Sequence, residues 1–472
     1  MKPPDWVKNA IFYQIFPDRF YNGDETNDPV DVVDWNEKPT PHNFFGGDLL
    51  GIIKKLDYLE NLGVNAIYLN PIFKAPSNHK YDTEDYYQVD PHFGDSDTLK
   101  ELVSRAHERG MKVILDGVFN HCGEKFFAFQ DVVERGEKSR YWNWFIVDGF
   151  PITKYPEPNY RCWAGVPSMP EFNTKNPETR EYLLKVVEHW IKEADIDGWR
   201  LDAVEYLEPD FVRDVRRRAK SVKNEIYIVG EVVGIATSWF KGEALDGVMN
   251  YKLWELLVDF FANHRYDARR FNSMLYFLRR SYPEWANYSM FNLLGSHDRP
   301  RFLTLCKGDV RKMKLAITFL MTYLGAPAIY YGDEIGMQGE SDPDCRRAFI
   351  WDERFQNLEL LNFYKLMISL RKKHPALRNG RFRSIHFERN LCVYSRETNE
   401  EKIIIILNNS ENTERLTVSP DFISDLKDVE MVDLTTGERF EMKGGSLNLV
   451  VRGYSFKLLL ASGGTVVRGT MV

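Results

Sequence analysis

Residues 197–204, Asp197-Gly198-Trp199-Arg200-Leu201-Asp202-Ala203-Val204, and the run Ile226-Tyr227-Ile228-Val229-Gly230-Glu231 decide the architecture. Each is a short apolar segment that reads as a buried strand and delivers an acid at its carboxyl end. A helical pattern precedes the first. It opens at Asn176-Pro177, an N-cap with proline at the first helical position, and stops before Asp197-Gly198. The same alternation extends outward in both directions. A helix across Asp48–Leu62 carries apolar residues at 49, 50, 52, 53, 56, 59 and 62 and ends at Gly63. Strand Val64–Leu69 follows and stops at Asn70-Pro71. A helix near Ser96–Arg109, with Gly110 as its stop, leads to strand Lys112–Leu115 and Asp116.

Further strands are expected at Gly247–Asn250, Met290–Leu294 and Ala328–Tyr331, and Ile11–Phe16 supplies the first. Eight β/α units point to an α/β fold of the closed (β/α)₈, or TIM, barrel type, with its site where the carboxyl ends of the strands open into loops. The barrel is expected to span residues 1–121 and 176–379. Residues 122–175 have no clean period and many aromatics, prolines and glycines, so they read as a subdomain inserted after strand three. Helical patterning ends after Asn357–Lys373. Alternating runs at Leu391–Ser395, Lys402–Leu407, Arg415–Val418, Glu430–Leu434, Ser446–Val450 and Tyr454–Leu460 then predict a carboxyl-terminal antiparallel β-sandwich over 380–472, with turns at Thr436-Gly437 and Gly444-Gly445.

Composition bounds the function. The 472 residues are 43% apolar and 28% charged, the profile of an ordinary globular chain with room for more than one domain. A formal net charge of −7, with no basic tract mixed with aromatics, argues against nucleic acid as a partner. The amino terminus lacks an apolar signal core and no stretch is long enough to span a membrane. Five scattered cysteines, Cys122, Cys162, Cys306, Cys345 and Cys392, have no metal-type spacing. A reduced, cytoplasmic protein is the expectation.

The two acids suggest the chemistry. Arg200 and Asp202 are two apart, so strand period two turns both to one face, where the guanidinium is expected to hold Asp202 ionised. Glu231 has no such partner in its own strand and is expected to stay protonated. One ionised and one protonated carboxyl group is what retaining glycoside hydrolysis needs. Strand three adds Asp116-Gly117-Val118-Phe119-Asn120-His121, and strand seven adds Gly295-Ser296-His297-Asp298. A third acid there would favour an oxocarbenium-like transition state.

Taken together, the stretches at 116–121, 198–205, 230–233 and 295–298, in that order, resemble the α-amylase family of glycoside hydrolases over essentially the whole chain. The resemblance implies Asp202 as nucleophile, Glu231 as general acid/base and Asp298 as a stabiliser gripping the 2- and 3-hydroxyls of the sugar being cleaved. It implies that His121 and His297 bind that sugar, that Arg200 orients Asp202, and that Asp116 supports the site. Tyr81 matches the family's stacking tyrosine. Residues 79–86, 169–173, 297–302 and 342–347 resemble the cyclomaltodextrinase and neopullulanase subfamily, where Asp342 and Arg346 match positions that hold the second sugar on the non-reducing side. Val233 stands where that pattern has an aromatic, and the segment after the nucleophile is one residue shorter. The extra amino-terminal β-domain usual in cyclomaltodextrinases has no counterpart, as this chain starts at strand one.

Asn22, Asp24, Asn27 and Asp28 in the loop after strand one space oxygen donors at i, i+2, i+5 and i+6, which suits Ca²⁺. The loop resembles a calcium loop of cyclodextrin glucanotransferases that Asp48 and the Gly46 carbonyl complete. A second calcium at Asn120 is not expected. The reading is a retaining hydrolase of α-1,4-glucosidic bonds in maltooligosaccharides and cyclodextrins, with a homodimer as a further expectation. A 4-α-glucanotransferase or an α-glucosidase on the same machinery is the nearest alternative. A non-catalytic sugar-binding protein is disfavoured because all three acids are present.

Overall fold

The computed structural model describes residues 2–418, 430–441 and 446–462. Eight parallel strands close into a barrel: β1 Phe12–Ile15, β2 Ala66–Leu69, β3 Lys112–Gly117, β4 Gly198–Leu201, β5 Tyr227–Val232, β6 Gly247–Asn250, β7 Phe291–Leu293 and β8 Ala326–Tyr330. Each pairs with its chain neighbours, and β8 closes on β1 with Tyr13 opposite Ile329. Period two sorts the side chains. Phe12, Tyr68, Tyr227, Val229, Met249 and Phe291 fill the barrel interior, while Tyr13, Ile67 and Ile228 face the helices outside.

The helices start and stop where local chemistry dictates. The Asn176 side chain accepts from the Glu178 and Thr179 N–H groups at the head of Pro177–Ala194. Gly63 ends its helix at φ 96°, a left-handed cap that favours glycine. The single helix expected over 48–62 is two, Leu49–Lys54 and Leu56–Leu62, broken at Lys55. Its apolar stripe is still buried: Leu49, Ile52, Leu56, Leu59 and Leu62 are all at or below 1% exposure. Each such leucine or isoleucine contributes roughly 1.5–3 kcal/mol of burial, so tertiary packing keeps the face intact across the break.

After β3 the chain folds back on itself before the next helix. Helix Phe127–Arg135 and short turns are tied by isolated bridges, among them His121 with Glu171 and Phe145 with Phe172. Phe126, Phe129, Tyr160 and Phe172 pack edge-on inside this segment. It overhangs the carboxyl ends of the strands.

The carboxyl-terminal region pairs six antiparallel strands in the order Arg381–Glu388, Leu391–Glu397, Lys402–Asn408, Ser455–Ser462, Glu430–Asp433, Arg439–Glu441. A second, two-stranded sheet joins Glu414–Val418 to Leu447–Val451. Val393, Ile404, Ile406 and Leu459 face Leu416, Leu447 and Leu449 across a separate core, and the other face, with Tyr394, Ile403 and Ile405, joins the barrel core. Arg381–Glu388 was not among the expected strands. It is a mostly polar edge with a bulge between Ser384 and His386, which breaks the alternation. The turn expected at Gly444-Gly445 lies outside the described residues. Among the described residues no helix is long and apolar enough to cross a membrane, and all five cysteines are free.

Candidate active site

Strand register brings the acids together. Asp116 on β3 lies beside Arg200 on β4, and Leu201 lies beside Gly230 on β5. The next residue on each of the latter strands, Asp202 and Glu231, therefore emerges at one level. The Arg200 guanidinium is buried at their base. Its Nη1 donates to Asp202 at 2.7 Å and to the two Asp116 oxygens at 2.9 and 3.1 Å, and its Nη2 lies 3.2 Å from Glu231 Oε2. Ala203 takes a left-handed φ of 45°, and its N–H donates to Glu231 Oε2 at 2.9 Å.

This corrects the electrostatic expectation. Glu231 does have a cationic partner, one supplied by the neighbouring strand, and Arg200 serves three carboxylates. Burial is the largest influence on Asp202 and pushes its carboxyl up. Arg200 opposes that, but the charges of Glu231 and Asp116 add to it, leaving the group well above the usual carboxylate range. Burial likewise raises Asp116 against the pull of Arg200, Tyr68 and Tyr81. One guanidinium thus faces three adjacent carboxylates, and burial with the neighbouring negative charges keeps the Asp202 carboxyl raised.

Above them the loops complete a cavity of about 390 Å³ lined by His79, Tyr81, His121, Trp163, Met169, Asp202, Glu231, Tyr251, His297, Asp298, Arg299, Asp342 and Arg346. Tyr81 stacks on the His297 ring at 5.5 Å and 9°. Arg346 reaches Asp298 with Nη2 and Asp342 with Nη1, both at 3.2 Å, and its Nε donates to the His297 carbonyl at 2.8 Å. His121 is buried and held near pKa 3 chiefly by that burial, and its Nε2 has no hydrogen-bond partner among the described residues. A buried, uncharged ring nitrogen without a partner suits a ligand hydroxyl. The structure thus gathers Tyr81, His121, Asp202, Glu231, His297, Asp298, Asp342 and Arg346 around one cavity, with Arg200 and Asp116 beneath it.

Sequence reading missed His79, Trp163, Met169, Tyr251 and Arg299 as lining residues. Tyr251 could have been found, since it follows Asn250 at the end of β6. Trp163 comes from the inserted segment, where no periodicity points to the cavity. Val233 does not line the cavity; its N–H donates to Glu205 at 2.8 Å.

The acidic loop lies apart from this cavity. Asn22 Nδ2 donates to both Asp28 oxygens at 2.8 and 3.0 Å, while the Asn22 and Asn27 amide oxygens are buried without a partner among the described residues. Gly46 sits at φ 79° so close that a Cβ there would meet Asp28 Oδ1 at 2.4 Å. The two orphaned oxygens, with Asp28 between them, fit a hard cation. Asp24 and Asp48 are otherwise engaged. Asp24 caps Thr26, and Asp48 accepts from Gly23, Asp24, Gly51 and Asn27.

A parallel barrel with three carboxylates and sugar-sized walls at its carboxyl end defines a glycoside hydrolase. Residues 14–354 match the α-amylase catalytic domain and residues 382–458 match the maltogenic amylase carboxyl-terminal domain. The chain belongs to the α-amylase family and is a glycoside hydrolase acting on α-glucans. It is 51% identical to a cyclomaltodextrinase of Thermoanaerobacter pseudethanolicus, over 87% of this chain and 72% of that one. It is 44% identical to an intracellular maltogenic amylase of Bacillus subtilis strain 168, over 87% and 70%. Among solved structures, the ligand-free cyclic α-maltosyl-(1→6)-maltose hydrolase of Arthrobacter globiformis superposes with a TM-score of 0.90 at 38% identity, over 98% of this chain and 100% of that one.

Proposed function

We propose that the enzyme hydrolyses α-1,4-glucosidic bonds in maltooligosaccharides and cyclomaltodextrins with net retention. The observation that carries this reading is the pairing of Asp202 and Glu231 over the Arg200 guanidinium at the floor of the cavity. In this reading Asp202 is the nucleophile and Glu231 the general acid/base. The Asp202 carboxylate attacks the anomeric carbon while Glu231 protonates the departing glycosidic oxygen. A water then attacks the glycosyl ester, giving its proton back to Glu231 and freeing Asp202. Asp298, beside His297 and Arg346, takes the hydroxyls of the sugar being cleaved, His121 Nε2 takes another, and Tyr81 offers its ring face. Asp342 and Arg346 close the cavity two sugars from the cleavage point, which favours short or cyclic chains over polymer. The cyclomaltodextrinase and maltogenic amylase relatives point the same way.

A Ca²⁺ ion would be held by the Asn22 and Asn27 amide oxygens, the Asp28 carboxylate and the Gly46 carbonyl, with Asp24 and Asp48 shaping the loop. When bound it supplies stability and no chemistry. The intracellular relative supports a cytoplasmic location. Product profiles on β-cyclodextrin, maltotriose and soluble starch test the reading. Faster internal cleavage of starch per bond than of the small substrates would overturn it, and predominant transfer to longer chains would mark a glucanotransferase.

A further inference from the structure

His297 lies at the cavity wall with its Nε2 edge against the Tyr81 hydroxyl, and which of its nitrogens carries a proton decides the polarity of that contact. The hydrogen bonds around it form a closed ring in which Gln14 donates twice and the Tyr81 oxygen accepts twice. Asp116 Oδ2 accepts from Tyr68 at 2.6 Å and from the Tyr81 hydroxyl at 2.9 Å. With its own proton committed there, the Tyr81 oxygen accepts from its other neighbours, Asn70 Nδ2 at 3.0 Å, His297 Nε2 at 2.6 Å and, at 3.4 Å, Arg200 Nη1. Asn70 then turns its Oδ1 toward Gln14, whose Nε2 donates to it at 2.9 Å. The second Gln14 amide proton faces His297 Nδ1, also at 2.9 Å. Reversing either amide would set oxygen against oxygen or leave two donors facing one another.

We propose that Gln14 is a positioning residue which, through this ring, keeps the single His297 proton on Nε2, the nitrogen that faces Asp298 Oδ2 at 3.1 Å. This rests on the reading of the cavity as the sugar site. The Nε2 proton, given to the Tyr81 oxygen, ties His297 to Tyr81 and leaves the Asp298 oxygens beside it to accept from a sugar hydroxyl. Gln14 is itself 1% exposed on β1, does not line the cavity, and reaches the lining residues His297 directly and Tyr81 through Asn70. Burial, reinforced by Arg346 and Arg200, keeps the ring uncharged. The charged and titratable groups facing it are Asp298 from its own loop, Tyr81 and His79 from the loop after β2, Arg200 from β4, Glu231 from β5 and Arg346 from the loop after β8.

The test is long-range ¹H–¹⁵N NMR on ligand-free enzyme labelled at histidine nitrogen, with the His297 signals assigned from the His297→Gln protein. A pyrrole-type Nε2 with a pyridine-type Nδ1 at neutral pH is expected; an Nδ1 proton or an imidazolium overturns the proposal. Gln14→Met keeps volume and removes the donor. It should redistribute the proton between the nitrogens and lower kcat/KM about tenfold, the rate equivalent of one hydrogen bond. Gln14→Glu places a carboxylate at Nδ1, favours the imidazolium, and should add an inflection to the pH–rate profile that the Met variant lacks. An unchanged tautomer in Gln14→Met refutes the role. Because the spectrum is read without substrate, it stands or falls apart from the hydrolytic reading, which the Asp202→Asn protein tests.

Discussion

Replacing Glu334 with Gln should make the protein more stable in alkali and change it little in acid. Glu334 follows β8 and is fully buried, with Oε1 accepting from Tyr13 at 2.7 Å and Tyr58 at 2.6 Å and Oε2 unpartnered. Tyr13 is on β1, so this cluster clasps the seam where the barrel closes. Burial is the main cause that lifts the Glu334 carboxyl from 4.5 to about 7, against the opposing hydrogen bonds of Tyr58 and Tyr13. A folded-state value above the unfolded one means stability that is complete below about pH 4.5 and is lost as pH rises through about 7. At about 1.4 kcal/mol per unit, the whole loss is roughly 3 kcal/mol, of which about 2 kcal/mol falls between about pH 5.5 and 8.5. Glutamine keeps an oxygen for both tyrosines and cannot ionise. The gap between the variant and the parent in unfolding free energy, read from urea titrations, should therefore widen by about 2 kcal/mol across that window. For a chain of this size that is about 2 °C in melting temperature. A gap that stays flat with pH, or narrows toward alkali, would refute the reasoning.

Three further outcomes follow from the site. Asp202→Asn should lose several powers of ten in turnover, since an amide cannot form the glycosyl ester, while maltose still binds by calorimetry; more than a few per cent residual activity removes Asp202 as nucleophile. Chelator should lower the melting temperature without changing kcat of the surviving enzyme, and added Ca²⁺ should restore it; an unchanged melt with no metal by elemental analysis returns residues 22–28 to a plain loop. Proton NMR of the first product released should show the α-anomer, as expected for carboxyl groups about 5–5.5 Å apart; an initial β-anomer excludes retention.

The barrel was legible because each strand is a short buried run next to a helix with its own start or stop signal, as at Asn176-Pro177 and Gly63. The edge strand Arg381–Glu388 and the break at Lys55 were not, because polar edges and tertiary bends leave no periodic trace. The acids were legible as strand-end residues. The sharing of Arg200 with Glu231 was hidden, since it depends on the register Leu201 to Gly230 between strands whose side chains say nothing of their alignment. Gln14 and Asn70 looked like ordinary polar residues of a strand and its turn, and only the ring of hydrogen bonds gives them a function.

The central claim is that Asp202 carries the sugar between the two halves of the reaction. Incubation with a fluorinated α-glucosyl fluoride that forms the ester faster than it is hydrolysed, followed by peptide mass spectrometry, tests it directly. A single hexosyl adduct on the peptide containing residues 201–213, fragmenting to Asp202, is the predicted result. An adduct on Glu231, or turnover of the reagent with inversion and no adduct, would contradict the account.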